Sequence, residues 1–333
     1  MTLPTCLMNS CILWRPIMHN RFVIGVIGLV LSGCTFNFPL FPGPGPLQET
    51  QVDGTGKAKV LLIEISGVIS SQDKEGFRTT PSMIASVKEQ LTRAAKDENV
   101  KAVVLRINTP GGTVTASDII YHELKMFKAS RKVPIVASIM DLGTSGGYYI
   151  AAAADTVLAH PSSVTGSIGV IMLTINARGL LEKVGVEATA VTSGPRKDMG
   201  SPFRTMTTEE RAIFQGLIDS FYQRFLNIVQ EGRSNLQMEQ IKRLADGRIY
   251  TGEQAKAAGL VDEIGYLEDA IALAKKKAGL TEARVVTYQR PGEYSNNVYS
   301  KLFVPNGLAG LADLDLVSFV RGGTPQFMYL WMP

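Results

Sequence analysis

The chain has 333 residues, of which 45% are hydrophobic and 19% are charged, and this composition suits one or two globular domains with a real core. The net charge is +4, and two of the positive charges, Arg15 and Arg21, lie in an N-terminal segment that we expect to be removed. A mature chain with a net charge of about +2 lacks the basic surface of a nucleic-acid-binding protein, and that class is excluded.

The first 33 residues are predicted to be a signal peptide. Polar and basic residues His19 to Arg21 are followed by an apolar run from Phe22 to Leu31. That run is too short to cross a bilayer, which takes about 20 apolar residues, but it has the length of a signal-peptide core. Residues 1–17 fit poorly ahead of it, so Met18 is a candidate for the true start.

The predicted signal ends in Leu31-Ser32-Gly33-Cys34, which resembles the lipobox of a bacterial lipoprotein. In such proteins the cysteine is lipidated and becomes the first mature residue, so we expect Cys34 to anchor the chain to a membrane. The alternatives are an uncleaved anchor or a chance cysteine. Thr35 stands where an inner-membrane retention signal has aspartate, which favours the outer membrane and a domain facing the periplasm.

Cysteine and histidine usage predicts neither a metal site nor a cofactor. Cys6, Cys11 and Cys34 are the three cysteines, so no disulfide can form within the mature chain. His122 and His160 have no metal-ligand spacing between them, and surface or capping roles are favoured for both.

Residues 34–56 contain a proline- and glycine-rich stretch and are predicted to be an extended tether. A folded domain is predicted at 57–280, where strand-like apolar runs alternate with helical periodicity. The predicted strands are 60–65, 100–107, 135–140, 156–159 and 186–192. The predicted helices are 81–95, 116–130, 148–154, 177–184, 208–231, 236–245 and 267–278. This alternation predicts an α/β fold with mostly parallel strands.

The C-terminal tail, residues 281–333, is weakly patterned from Gly292 onward. Its end, Phe327 to Trp331, is apolar. Such an end usually packs on a partner or stays mobile, and the sequence does not decide between these two states.

Ser145 is the candidate nucleophile, because it lies between a predicted buried strand and a buried helix and is flanked by Gly143, Gly146 and Gly147. A strand that turns sharply into a helix needs glycine, and the free N–H groups at the helix start can stabilise negative charge. The turn resembles a nucleophile elbow, although Thr144 precedes the serine and G-x-S-x-G is not matched. The alternative is a packing turn whose serine only caps the helix.

The loop Asn108 to Gly112 directly follows another predicted buried strand. In a parallel sheet this loop and the serine turn can emerge at the same edge. The N–H groups of Gly112 and Gly146 could then form a two-donor oxyanion hole. An ordinary strand-to-helix turn is the alternative.

Two further loops carry candidate side chains. Ser167 lies among glycines in Thr165 to Val170, where a buried hydroxyl could hold a catalytic group or merely satisfy backbone. Lys197 lies in a Gly/Pro-containing loop, 193–203, and not on a solvated helix. A serine nucleophile needs a base, and a desolvated lysine can serve as one, although most lysines are only surface charges.

Together these motifs resemble the signal peptide peptidase A family of serine–lysine peptidases, over roughly residues 60–278. In chain order the matching motifs are Pro110-Gly111-Gly112, Thr144-Ser145-Gly146-Gly147-Tyr148-Tyr149, Gly166-Ser167-Ile168-Gly169, Ser193-Gly194-x-x-Lys197, Gly247-Arg248-Ile249-Tyr250-Thr251-Gly252 and Gly259-Leu260-Val261-Asp262. The resemblance implies a Clp-protease/crotonase-like α/β fold with added C-terminal helices, and peptide-bond hydrolysis without metal or ATP.

The resemblance also implies residue roles. Ser145 would be the nucleophile, Lys197 the general base and Ser167 the residue that orients the lysine. Gly112 and Gly146 would supply the oxyanion donors. The short, single-unit members form rings whose sites are completed between adjacent protomers, so we expect a homo-oligomer.

The expected function is a membrane-tethered serine endopeptidase that cleaves peptides such as released signal peptides. Two alternatives remain at this stage: a crotonase-like enzyme acting on an acyl thioester, and a non-catalytic membrane scaffold. A departure from the family pattern is the lipobox, since many relatives carry a transmembrane anchor.

Overall fold

The computed structural model describes residues 45–73, 81–290, 297–299 and 326–332. The predicted signal peptide, Cys34 and residues 35–44 of the predicted tether lie outside these residues. The predicted bounds of the tether and of the domain are wrong in the described part: residues 48–53 form a strand paired with residues 284–289 of the main sheet, so the folded domain begins before residue 57 and extends past residue 280. The strands are β1 (Gln48–Asp53), β2 (Lys59–Ser66), β3 (Val100–Thr109), β4 (Gly111–Thr113), β5 (Ile135–Thr144), β6 (Thr156–Ala159), β7 (Val164–Gly166), β8 (Ile171–Leu173), β9 (Ile249–Thr251), β10 (Glu263–Ile264), β11 (Arg284–Gln289) and β12 (Gln326–Leu330). The helices are α1 (Met83–Ala95), α2 (Val114–Arg131), α3 (Gly146–Ala151), α4 (Arg178–Lys183), α5 (Thr208–Gly232), α6 (Met238–Leu244), α7 (Gly252–Ala257) and α8 (Leu267–Lys277).

The main sheet has the order β1-β11-β2-β3-β5-β6-β10. Every neighbouring pair from β11 to β10 is parallel, and β1 is antiparallel to β11. The central strands β2, β3 and β5 are buried on both faces, which is why their sequences are nearly continuous runs of branched apolar residues. The predicted α/β class with mostly parallel pairing is confirmed.

Helices cover both faces of this sheet. On one face α8 packs Leu267, Ala270 and Ile271 against side chains of β2, β3, β5 and β6. On the other face α1, α2, α3 and the C-terminal half of α5 enclose the larger core cluster. Helix α3 lies inside that cluster, and all six of its residues are buried. The serine turn is therefore followed directly by a fully buried helix.

The predicted strand 186–192 and the predicted helix 177–184 differ most from the structure. The predicted strand 186–192 is irregular, and it pairs with no strand in the part of the chain that the structure describes. Its apolar side chains Val186 and Val191 are 50% and 98% exposed, so neither packs against a core. The predicted helix 177–184 is reduced to α4, which buries none of its residues.

The predicted strand 135–140 is four residues longer in the structure, where β5 ends at Thr144. The extension exists because Leu142, Gly143 and Thr144 pair with β7. Strand β5 thus ends at the residue that directly precedes Ser145.

The apolar end of the C-terminal tail forms β12, which lies between β4 and β8 in a second, three-stranded sheet. Both pairings are antiparallel. The tail thus packs within its own chain, a location that the sequence did not indicate. Among the residues described, no helix combines the length and apolarity needed to cross a membrane.

Candidate active site

Ser145 occupies a strained turn between β5 and α3. Its φ of 52° and ψ of −113° lie where side chains other than glycine are rarely found, at a cost on the order of 1–3 kcal/mol. It stands at the N-cap position of α3, but its side chain makes no capping hydrogen bond. No residue in the described parts of the chain hydrogen-bonds its Oγ. The capping alternative therefore does not account for the hydroxyl.

The glycines after Ser145 allow this turn to pack against its neighbours. A Cβ at Gly146 would lie 2.5 Å from Ser117 Oγ, and one at Gly147 would lie 2.7 Å from Thr109 Cγ2. Side chains do not fit at these distances, so the first turn of α3 approaches α2 and β3 only because it has none. The turn packs tightly at both glycines, as the sequence predicts, but the atoms that exclude a Cβ belong to the side chains of Ser117 and Thr109 and not to the backbone.

Ser167 is the neighbour of Ser145 across the sheet. Thr144 is paired in register with Gly166, and the Ser145 N–H donates to the Gly166 carbonyl oxygen at 2.7 Å. Ser167 also has a positive φ, 50°, and is held by a 2.7 Å hydrogen bond from its N–H to the Arg248 carbonyl oxygen. Two strained serines thus lie side by side at the end of parallel strands.

The Gly111–Gly112 loop lies beside the first residue of α3, next to Ser145. A Cβ on Gly111, whose φ is 106°, would lie 2.9 Å from the backbone nitrogen of Gly146. Ile69 clamps the loop, since its N–H donates to the Gly111 carbonyl at 2.8 Å and its carbonyl accepts from the Thr113 N–H at 2.9 Å. The structure therefore brings together Ser145, Gly146, Ser167 and the Gly112 loop, as the sequence predicts.

Lys197 is not part of this cluster within one chain. It lies in an exposed loop, and its ammonium group has no hydrogen bond or ion pair with any residue that the structure describes. The acids beside it are engaged by arginines, because Arg196 pairs with Glu209 and Arg204 pairs with Asp198 at 2.6 Å. The missing member of the predicted site is the base.

Arg204 also stabilises the start of α5. Its guanidinium donates to Glu210 at 2.9 Å and, together with the Thr207 N–H, lowers the pKa of Glu210 to about 2. The hydrogen bond from Arg204 likewise lowers the pKa of Asp198. The Lys197 loop is thus tied to α5 through charged groups other than the lysine.

Hydrogen bonds of two tyrosine side chains fix α3, and the sequence did not indicate their partners. Tyr149 OH donates to Asp118 Oδ1 at 2.5 Å, and Arg224 Nη2 donates to the same oxygen at 2.6 Å. Tyr148 OH donates to the Leu260 carbonyl at 2.8 Å, and its burial raises the pKa of the phenol. The Tyr148-Tyr149 pair next to the serine could have indicated these hydrogen bonds, since a buried tyrosine needs a polar partner.

Comparisons with known proteins agree with this arrangement. The chain matches the family model described as peptidase family S49 over residues 127–281, and the Clp protease model over residues 77–165. It is 38% identical over 291 residues to a candidate signal peptide peptidase SppA from Enterococcus faecium, covering 85% of this chain and 84% of the relative. It is 41% identical over 229 residues to a candidate protease from Synechocystis, covering 69% and 78%.

Two further matches extend over part of a longer protein or concern the fold. The chain is 33% identical to the chloroplastic serine protease SPPA of Arabidopsis thaliana over 237 residues, which is 34% of that protein. A solved structure of a ClpP1 mutant from Listeria monocytogenes has 20% identity and a TM-score of 0.42, covering 63% of this chain and 94% of that one. With the Clp protease model match and the helix-covered, mostly parallel sheet, the expected Clp-protease-like α/β fold is confirmed.

The strain at Ser145 generates a stability prediction. Ser145→Gly and Ser145→Ala both remove the hydroxyl, but only glycine relieves the backbone strain. We expect Ser145→Gly to be more stable than Ser145→Ala by about 1 kcal/mol, after the extra entropy of unfolded glycine is subtracted. Chemical denaturation of the two variants measures the difference.

The matched control is Ser220 in the middle of α5, on an exposed face. There the order should reverse, because glycine in a helix is less stable than alanine by about 1 kcal/mol. Equal stabilities of the two Ser145 variants would mean that the turn stores no strain.

Proposed function

Because the chain belongs to the signal peptide peptidase A family, peptidase family S49, we propose that it is a serine endopeptidase in which Ser145 is the nucleophile and Lys197 the general base. The observation that carries the proposal is the conformation of Ser145, which is strained, uncapped and beside two glycine backbones. Residues under such strain cluster at active sites. Membership of a peptidase family favours this function over the acyl-thioester alternative.

The proposed mechanism uses groups of this chain alone. Neutral Lys197 accepts the proton of Ser145 Oγ, and the oxygen attacks the scissile carbonyl carbon. The oxyanion accepts hydrogen bonds from the N–H groups of Gly112 and Gly146. Protonated Lys197 gives its proton to the leaving amine, and water then hydrolyses the acyl-enzyme by the same route. Ser167 orients the lysine through its hydroxyl.

The position of Lys197 supports a site shared between protomers. Residues 174–217 carry the lysine loop and expose a large amount of apolar surface. The exposed apolar side chains are Ile175, Leu180, Val184, Val186, Val191, Phe203 and Leu217. Apolar side chains so concentrated in one segment indicate an interaction surface. We propose that this segment contacts a neighbouring copy in a ring and delivers Lys197 to that copy's Ser145.

The dyad can be tested with a fluorophosphonate, which reacts with activated serines. We expect the wild-type chain to be labelled and Ser145→Ala not to be. Lys197→Ala should be labelled about 100-fold more slowly, the usual contribution of a general base, whereas Lys183→Ala, an exposed lysine in the same segment, should be unchanged.

The pH dependence of the labelling rate identifies the base. A lysine acts as a base only when it is neutral, and ordinary lysines are charged below about pH 10. The rate should therefore rise through the alkaline range, with thermal melting curves showing that the fold persists. A rate that is constant from weakly acid to alkaline pH would exclude a lysine base.

Subunit mixing tests the shared site. Ser145→Ala and Lys197→Ala should each be inactive alone. When they are unfolded together and reassembled in equal amounts, about a quarter of the sites should regain both groups, since each site takes its serine and lysine from different chains. A mixture that stays inactive, although native mass spectrometry shows mixed rings, would place the dyad within one chain.

The proposed substrates are extended, apolar peptides such as spent signal peptides, in keeping with the name of the Enterococcus relative. Such peptides are released at membranes, so an anchored peptidase would act where they accumulate. We propose that Cys34 carries the anchor and that the domain faces the periplasm, with the outer membrane favoured by Thr35.

Lipidation is testable by metabolic labelling with a fatty-acid analogue. Cys34→Ser should abolish incorporation and release or misprocess the protein, whereas Cys11→Ser should leave incorporation unchanged because that residue precedes the predicted cleavage site. Incorporation that persists in Cys34→Ser would mean that the chain is attached in another way. Separation of the two membranes locates the labelled protein.

A further inference from the structure

A single peptide group joins the candidate nucleophile to a candidate oxyanion donor. The carbonyl of Ser145 and the N–H of Gly146 belong to the same planar group, and in its trans form the two bonds point in opposite directions. The Ser145 carbonyl oxygen accepts a 2.9 Å hydrogen bond from the Tyr149 N–H at the start of α3. The position of the Tyr149 backbone therefore sets the direction in which the Gly146 N–H points.

The side chain of Tyr149 is anchored to two longer helices. Its hydroxyl donates to Asp118 Oδ1 of α2 at 2.5 Å, and the same oxygen accepts from Arg224 of α5, from Nε at 2.9 Å and from Nη2 at 2.6 Å. Burial, together with the hydrogen bond to Asp118, raises the pKa of the Tyr149 phenol, so the hydroxyl keeps the proton that it donates. Hydrogen bonds to a charged carboxylate are stronger than those between neutral groups, so this contact holds the buried tyrosine firmly.

The ion pair itself lies at the surface. The side chains of Arg224 and Asp118 are 52% and 29% exposed. Ion pairs that are exposed to this degree usually contribute little to the stability of a fold. Its hydrogen bond to Tyr149, in contrast, connects the pair directly to the backbone of the serine turn, which favours a role in the geometry of that turn.

We propose that Asp118 and Arg224 are positioning residues that act through Tyr149 on the Ser145 peptide group, and so on the direction of the Gly146 N–H. The proposal rests on the proposed function for the identity of Ser145 as the nucleophile. Loss of the anchor should slow the chemical step and leave binding of the reactant unchanged, because a donor that is misdirected no longer stabilises the oxyanion in the transition state.

Tyr121 provides a matched control for Tyr149. Its hydroxyl donates to Glu231 Oε2 at 3.0 Å, so this buried phenol also contacts a carboxylate and also bridges α2 and α5. Tyr121→Phe keeps the ring, which packs edge-on against that of Tyr149 with centroids 5.5 Å apart. Because Tyr121 belongs to α2, removal of its hydroxyl costs a comparable hydrogen bond without releasing α3.

The kinetics of labelling by a fluorophosphonate test the proposal in the full chain. In Tyr149→Phe the labelling rate at saturating probe should fall about tenfold, and the probe concentration that gives half of this rate should stay the same. Tyr121→Phe should keep the wild-type rate, and thermal melting shows that both variants remain folded. Equal labelling rates in the two variants would overturn the proposal.

Substitutions of the exposed Arg224 test the same link without altering the core. Arg224→Met should slow labelling, and Arg224→Lys should restore part of the rate, because an ammonium group can still donate to Asp118. If Arg224 acts through Tyr149, Arg224→Met should cause no further loss when it is added to Tyr149→Phe. Losses that multiply in the double variant would contradict the proposed link.

A stability measurement separates this proposal from the catalytic one. The difference in denaturant midpoint between Ser145→Gly and Ser145→Ala should be smaller in a Tyr149→Phe background than in a Tyr121→Phe background, because a released α3 lets the serine turn relax. That result, in a protein whose wild-type chain is not labelled by the fluorophosphonate, would uphold the positioning link and refute the serine nucleophile. Equal differences in the two backgrounds would refute the link itself.

Discussion

The close approach of backbone segments around Ser145 is the constraint on which the rest of the structure depends. Strand β5, the Gly112 loop and the first turn of α3 meet at distances that exclude side chains at Gly111, Gly146 and Gly147. A serine can then be held at a positive φ because both of its neighbours along the chain are fixed, Thr144 by β7 and Gly146 by the core. The strained conformation of Ser145 persists because the contacts of its neighbours along the chain fix the backbone on both sides of it.

The burial of α3 provides that rigidity. A six-residue helix has little stability of its own, since isolated helices shorter than about 12 residues are marginal in water. Here Tyr148 and Tyr149 are fully buried, and both phenols donate hydrogen bonds. A hydrogen-bonded aromatic pair in the core fixes the orientation of the helix as well as its depth, and so the direction in which its free N–H groups point.

The sequence predicted the parts of the fold that depend on local pattern. The apolar runs of β2, β3 and β5 identify buried parallel strands, and the glycines around Ser145 identify a close turn, because each property follows from what one segment needs. The sequence did not predict the features that depend on contacts with another segment of the chain. The segment Val186 to Thr192 has the composition of a strand but pairs with no strand among the described residues. The apolar end near Tyr329 pairs with β4 and β8, which its own sequence could not indicate.

The candidate base, Lys197, stands apart from the rest of the candidate site. A lysine base must meet the serine, but the Lys197 loop is exposed and its ammonium group is unpaired among the described residues, so the proposed dyad would be incomplete within one chain. In the shared site proposed above, activity requires the arrival of a neighbour's lysine. Activity would therefore depend on protein concentration, and an unassembled chain would be inactive.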